Sequence, residues 1–213
     1  MEASPTIHIV DDDALVRECL ADMAMDAGYA ALTHATAEDF LADAEVASAG
    51  CVVVDLNLPG IDGLDLMDRI AGRDPDLPVI MVSGAGKVAQ VVAALKGGAV
   101  DFIQKPVRAA AFAQSLAEAA KRRRQRADAR DSLARLRERA QRLSHRERQV
   151  MALITDGLSN NAVAAALGIS VRTVENHRAR VMDKMGAANL TDLIRQTLRL
   201  GEGEATGAAR APQ

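Results

Sequence analysis

Residues 52–63 read VVVDLNLPGIDG. Three valines in a row suit a strand that is buried on both faces. The run then ends on a charge, Asp55, and Pro59 and Gly60 stop any regular structure soon after. An interior strand that ends this way delivers a carboxylate to the edge of a sheet, so the question is what that carboxylate meets there.

Further apolar runs flank this stretch: IHIV (7–10), YAALTHA (29–35), PVIMV (78–82) and DFIQ (101–104). Between the runs, helical patterns cover 14–27, 37–48, 64–72 and 88–97, and another begins near Val107. Thr36 with Asp39 offers an N-cap for the second helix. Gly28 and the Gly97–Gly98 pair sit where helices should stop. Repeated strand–helix units with near-continuous apolar strands predict an α/β fold, a five-stranded parallel doubly wound sheet of flavodoxin-like form. In such sheets ligands bind at the carboxyl ends of the strands.

Composition narrows the class. Of the 213 residues, 49% are hydrophobic and 26% charged, which is ordinary for a globular protein. No run of apolar residues is long enough to span a bilayer, and MEASPTIHIVDDD lacks the features of a secretory signal. Cys19 and Cys51 are too few for a disulfide framework, so a reducing, cytoplasmic setting is expected, with no membrane partner. The overall net charge of −3 hides a split: residues 1–120 hold 19 acidic and 7 basic groups (−12), and residues 121–213 hold 10 and 19 (+9). An acidic module joined to a basic one points to a partner polyanion for the second half.

The expected domains are 1–120, a helical linker over 121–142, an all-α four-helix domain over 143–200 and an unstructured tail over 201–213. No Gly or Pro occurs from 107 to 142, which predicts one long helix. Ala129, Leu133, Leu136, Ala140 and Leu143 follow 4-3-4-3 spacing, a short coiled-coil seam. Ser144 and Glu147 form a capping box, Ser159 or Asn160 caps the next helix, Ser170 the third, and Asn189 with Asp192 the fourth.

At the first strand's end lie Asp11, Asp12 and Asp13. Asp13 is the candidate N-cap of the following helix, while Asp11, Asp12 and Asp55 converge on one edge. At ~4 Å and an effective dielectric near 20, each like-charge pair costs about 4 kcal/mol. Such crowding demands protonation or a cation, and an all-oxygen donor set suits Mg²⁺. Ser83 and Lys105, at the ends of two more strands, bring a hydroxyl and an ammonium to the same place, donors suited to an acyl phosphate. The Lys105–Pro106 bond is a candidate for the cis form.

GLSNNAVAAALGISVRTVENHRARVMDKMGA (157–187) carries a second signal. Val163, Ala164 and Leu167 stripe one helix, Gly168 allows a tight turn, and Val174, Val181 and Met185 stripe the next. That is helix-turn-helix spacing, with the second helix destined for the major groove of double-stranded DNA. Arg172, Glu175, Asn176, Ala179 and Arg180 share its outer face with Thr173 at the start; Arg178 and Lys184 are expected at phosphates. His177 reads as structural. The net charge of residues 143–200 is +3 (8 basic minus 5 acidic), so tight DNA binding calls for a dimer. Leu193, Ile194, Thr197 and Leu198 on the last helix serve either that pairing or the core.

DDD after strand one, VVVDLNLPG, VSG and DFIQKP, in this order and followed by the helix-turn-helix run, resemble the two-component response regulators of the FixJ/NarL type, with a receiver domain and a LuxR-type DNA-binding domain. The resemblance spans nearly the whole chain. It implies Asp55 as phosphoacceptor for a sensor histidine kinase, Mg²⁺ held by Asp11, Asp12, Asp55 and the Asn57 carbonyl, and Ser83 and Lys105 as phosphate contacts. It further implies Phe102 as an aromatic switch, a homodimer on activation, and promoter DNA and RNA polymerase as partners. Asn57 and Ala85 flank the pocket, Lys87 puts a positive charge where the family pattern has an acid, and Asn161 stands where a lysine is common.

Other classes fit less well. A phosphohydrolase needs a second acid next to the nucleophile, and Leu56–Asn57 offers none. A flavin binder needs a phosphate loop after strand one, and a single-strand binder needs more than 2% aromatic residues. A regulator indifferent to phosphorylation remains an alternative.

Overall fold

A computed structural model describes residues 5–43, 49–84 and 88–208. The chain divides into two compact units, Met1–Ala127 and Asp128–Gln213. Ala85, Gly86, Lys87 and the segment 44–48 lie outside the described residues.

The first unit runs β1 (Thr6–Val10), α1 (Ala14–Asp26), β2 (Ala30–His34), α2 (Ala37–Ala42), β3 (Ala49–Asp55), α3 (Gly63–Arg73), β4 (Val79–Ser83), α4 (Val88–Lys96), β5 (Asp101–Gln104) and the start of α5 (Ala109–Gln141). The strands form one parallel sheet in the order β2-β1-β3-β4-β5, the flavodoxin-like order. Every residue of β3 is buried, because it is central and covered on both sides. Val52 and Val54 pack with Phe40, Leu66, Ile70 and Met81 on one face. Cys51 and Val53 pack with Leu20, Ile80, Phe112 and Leu116 on the other. That two-sided burial is why the strand reads as an unbroken apolar run and not as an alternation.

The caps fall where the side chains allow. Asp13 accepts from the amides of Leu15 and Val16 and starts α1, and Thr36 accepts from Asp39 N. The second predicted helix is shorter than its 37–48 pattern within the described residues, since α2 gives way at Asp43, whose backbone is extended. The Lys105–Pro106 peptide is cis.

The second unit holds the end of α5, then α6 (His145–Thr155), α7 (Asn160–Leu167), α8 (Val171–Met185) and α9 (Leu190–Ala208). Ser144 and Glu147 complete the capping box, and Ser159 and Ser170 cap the two helices of the helix-turn-helix. Asn189 accepts from Asp192 N at 2.9 Å, and Asp192 from Ala188 N at 3.0 Å. Gly168 ends α7 at φ 65°, a left-handed turn that other residues adopt only with strain.

Two features of this unit depart from the sequence pattern. Leu136 and Leu143 are buried, and Ala140 partly so, in one core with Val150, Ile154, Val174, Val181 and Leu193. The lower part of the proposed coiled-coil seam is therefore occupied within the chain: a stripe that suits a partner helix equally suits the domain that follows it. The helix beginning at Leu190 also continues to Ala208, so 201–208 are helical and not unstructured. No proline interrupts before Pro212, and extending an existing helix avoids the cost of nucleation, which offsets about 1 kcal/mol for each glycine. Residues 209–213 lie outside the described residues. Leu193 belongs to the core, whereas Leu198 is 63% exposed.

If α5 ends as part of the DNA-binding unit, Leu136→Ala should lower that unit's stability by about 2–4 kcal/mol in denaturant unfolding. A change below about 0.5 kcal/mol, the level of an exposed position, would show that this leucine is not core.

Candidate functional site

In a parallel sheet all strands end on the same edge, so β1, β3, β4 and β5 deliver the residues at their carboxyl ends to one place. Pairing of Val10 with Val54, of Asp55 with Val82 and of Ser83 with Gln104 sets their level. Asp11, Asp55 and Ser83 are all buried there. Lys105 Nζ reaches Asp11 Oδ2 and Asp55 Oδ1, each at 2.7 Å. Its backbone amide donates to Ser83 O at 2.8 Å, which anchors the lysine at the edge of β4.

Asp55 is further held by its own loop. The Asn57 amide donates to Asp55 Oδ2 at 2.6 Å, and Asn57 Nδ2 lies 3.4 Å from Ser83 Oγ. The loop turns back so closely that a Cβ on Gly63 would meet the Asp55 carbonyl oxygen. Glycine is required there, and the amide of Gly63 donates to Leu56 O at 3.0 Å. Asp11 accepts from Asp13 N at 3.1 Å, and Arg17 Nη1 donates to the Asp11 carbonyl at 2.6 Å.

Burial raises the Asp11 carboxyl above its ordinary pKa, despite Lys105 pulling the other way. For Lys105 burial is the largest single effect and acts downward, but the two carboxylates outweigh it and hold the ammonium above its ordinary range. Two buried carboxylates facing one ammonium leave a surplus negative charge on this edge. Asp12, the next residue along the same loop, is exposed. Among the described residues, the three side chains whose ligand atoms lie within 4.8 Å of one another are not the acidic trio but His8, His34 and Asp43. Phe102 is half-buried, pairs in register with Met81 and packs against the core on that face of the sheet.

In the second unit α8 presents Arg172, Glu175, Asn176, Ala179 and Arg180 to solvent, one exposed face at helical spacing. Val174, Val181 and Met185 on the opposite face are buried. Thr173 is half-buried, with its hydroxyl 2.7 Å from Ser170 Oγ at the helix start. Arg178 donates to Asn160 Oδ1 at 3.2 Å, which leaves further guanidinium donors. Lys184, expected at a phosphate, instead pairs with buried Glu147 at 2.7 Å and donates to Arg142 O at 3.2 Å. The reason is that Glu147, turned inward by its capping role, requires a counter-charge. His177 is half-buried, and its Nδ1 has no hydrogen-bond partner.

The sheet edge and the helix-turn-helix define a two-domain protein with an acidic pocket bridged by Lys105 in one unit and a helix-turn-helix in the other. Residues 7–117 match the response regulator receiver domain, and residues 141–197 the luxR family of bacterial regulatory proteins. The chain belongs to the response regulators that join a receiver to a LuxR-type DNA-binding domain, and it is a transcriptional regulator. It is 39% identical over 208 residues to the transcriptional regulatory protein FixJ of Azorhizobium caulinodans, across 98% of this chain and 99% of that one. It is 41% identical over 197 residues to the C4-dicarboxylate transport transcriptional regulatory protein DctR of Rhodobacter capsulatus, across 90% and 98%. Among solved structures, the response regulator StyR matches with a TM-score of 0.77 and 31% identity, across 92% of this chain and all of that one. Full-length FixJ from B. japonicum matches with a TM-score of 0.56 and 35% identity, across 94% and 98%. No described helix is long and apolar enough to cross a membrane.

The Lys184 hydrogen bond, followed by the Ser144 amide, holds the Glu147 carboxyl down at about 2, against 4.5 unperturbed. Because the folded value is the lower one, the stabilisation is complete above pH 4.5 and is lost as pH falls towards 2. Acid titration of the DNA-binding unit should therefore show a loss on the order of 1–2 kcal/mol from this pair, reduced by the solvent exposure of Lys184. Glu147→Gln should remove that part of the slope; identical pH profiles for variant and wild type would rule the pair out.

Proposed function

We propose that phosphorylation of Asp55 by a sensor histidine kinase switches this regulator between a weakly and a tightly DNA-binding form. The observation that carries the reading is the single ammonium of Lys105 at 2.7 Å from both Asp11 and Asp55, at the carboxyl edge of the sheet. One carboxylate oxygen of Asp55 attacks the phosphorus of a phosphohistidine; the new O–P bond forms as the P–N bond breaks, and the imidazole leaves. Lys105 and the Ser83 hydroxyl then take the phosphoryl oxygens as donors, which makes catalysis a matter of positioning and electrostatics.

Receiver domains use Mg²⁺ at this acidic pocket, and the residues here fit it. The surplus charge of Asp11 and Asp55 over Lys105 and the all-oxygen set of Asp11, Asp12, Asp55 and the Asn57 carbonyl suit a hard divalent cation. Bound there, Mg²⁺ supplies neutralisation of the charge gathered on the phosphoryl group.

Phosphorylation draws Ser83 towards the new phosphoryl oxygens, and Phe102 moves from its half-buried position into the space released. This shifts the population of existing states and does not create a new fold. On α4, Val88, Val92 and Leu95 are 81%, 43% and 49% exposed, an apolar stripe next to β5 that supports pairing with a second copy. Paired copies bring two α8 helices to promoter DNA. Arg172, Glu175, Asn176 and Arg180 face base edges, Thr173 and Arg178 approach the backbone, and the bound dimer acts on RNA polymerase in the cytoplasm.

The test compares the full-length wild type with Asp55→Ala, each with and without a small-molecule phosphate donor and Mg²⁺. Sedimentation reads dimerisation, and affinity is read on a DNA fragment selected for binding. Phosphorylation should dimerise the wild type and tighten its binding by about tenfold or more, or 1.4 kcal/mol. The variant should show neither effect. Equal binding by both proteins in both conditions would remove the pocket as the control point.

A further inference from the structure

A second polar cluster lies in the receiver unit, on the α2 side of the sheet. His8 pairs in register with Leu32, so His34, two residues further along β2, projects to the same face as His8. His8 is fully buried and His34 nearly so. Nδ1 of His8 and Nε2 of His34 are 2.9 Å apart. The rings are inclined by only 7° with centroids 5.2 Å apart, which places them nearly edge to edge with their ring nitrogens facing. Phe40 meets both rings edge-on, at 76° and 82°. Asp43, the C-cap of α2, closes the group with Oδ2 3.8 Å from His34 Nε2.

Packing does not explain this group. Neighbouring positions of β1 and β3 on the same face are Val10, Val52 and Val54, and apolar side chains there fill the core without cost. Two imidazoles in their place share a single proton between the facing nitrogens, and His8 Nε2 is left buried without a partner. An orphaned polar atom of this kind costs about 1–3 kcal/mol. Burial holds both imidazoles below their ordinary pKa, so both are neutral at neutral pH, the state in which imidazole binds metals.

We propose that His8 Nδ1, His34 Nε2 and Asp43 Oδ2 bind a transition-metal ion of the zinc and copper class. All three atoms lie within 4.8 Å of one another. Two nitrogens and one carboxylate oxygen are the donors of such ions and not of Mg²⁺, and Zn²⁺ takes them at about 2.0–2.2 Å. When the ion enters, the ring that donates across this contact shifts its proton to its outer nitrogen by exchange with solvent, so that both imidazoles bind as neutral ligands. Asp43 is 27% exposed, so a water completes the coordination from that side. Asp39 adds negative potential near His34. The ion would also register at the acidic edge, because the His34 carbonyl accepts the Asp11 amide at 3.2 Å.

Co²⁺ alone is the probe, titrated into full-length protein stripped of metal, with the visible absorption of a tetrahedral site as the signal and Zn²⁺ as competitor. Wild type and Asp55→Asn should each develop the tetrahedral signal of one bound ion, since the site is separate from the acidic edge, whose all-oxygen donors give no such signal. His34→Gln should lose the signal and Asp43→Ala should weaken binding by about tenfold or more. Asp43 is partly exposed at a helix end, so its variant keeps the test valid if His34→Gln does not fold. Absence of the tetrahedral signal in wild type, its survival in Asp43→Ala at unchanged affinity, or its loss in Asp55→Asn would each overturn the proposal.

Discussion

The receiver unit depends on one contact: a single ammonium, Lys105 Nζ, between two buried carboxylates at 2.7 Å each. Coulomb repulsion between Asp11 and Asp55 would be severe at this depth without it, and even with it Asp11 is held above its ordinary pKa by burial. Ionised Asp11 therefore works against folding at neutral pH: a carboxyl whose folded pKa is raised favours the fold at low pH and less so as pH rises past its unfolded value. A sheet selected only for stability would not keep such an edge, and functional sites are where that kind of cost is retained. The arrangement requires three strands from distant parts of the chain to end at one level. The fully buried β3 provides the fixed reference for the other two.

The DNA-binding unit follows the opposite logic, with its internal charges satisfied so that one face stays available. Glu147 is buried, caps α6 and takes Lys184 as counter-ion, while Arg139 donates to the Met185 carbonyl at the end of α8. These bonds fix α8 from behind and from its C-terminal end. Arg172, Glu175, Asn176 and Arg180 then project from a rigid support, which is what specific reading of base edges requires. The last turns of α5 are part of that support, since Leu136 and Leu143 lie in the same core as Val181 and Met185.

Much of this was legible in sequence because it is local. Strands ending in Asp11, Asp55, Ser83 and Lys105 announce a polar sheet edge, and the Asp13, Thr36, Ser144, Ser159 and Ser170 caps bond within a few residues of themselves. What escaped depends on tertiary partners. Lys184 reads as a phosphate contact until Glu147, far away in sequence, is seen to need it. The stripe through Leu136 reads as a coiled-coil seam because a helix face does not say what covers it. His8 and His34 are 26 residues apart, and in IHIV a histidine looks like one more core residue of a strand. Parallel register brings them together, and no spacing rule in the sequence reports it.

The central claim is that Asp55, poised by Lys105, is the phosphoacceptor. Intact-mass measurement after incubation with a small-molecule phosphate donor and Mg²⁺ tests it most directly. Wild type should gain one acid-stable but base-labile phosphoryl group, mapped to the peptide that carries Asp55, and Asp55→Ala should gain none. Equal phosphoryl uptake by Asp55→Ala, or a modified peptide elsewhere in the chain, would contradict the account.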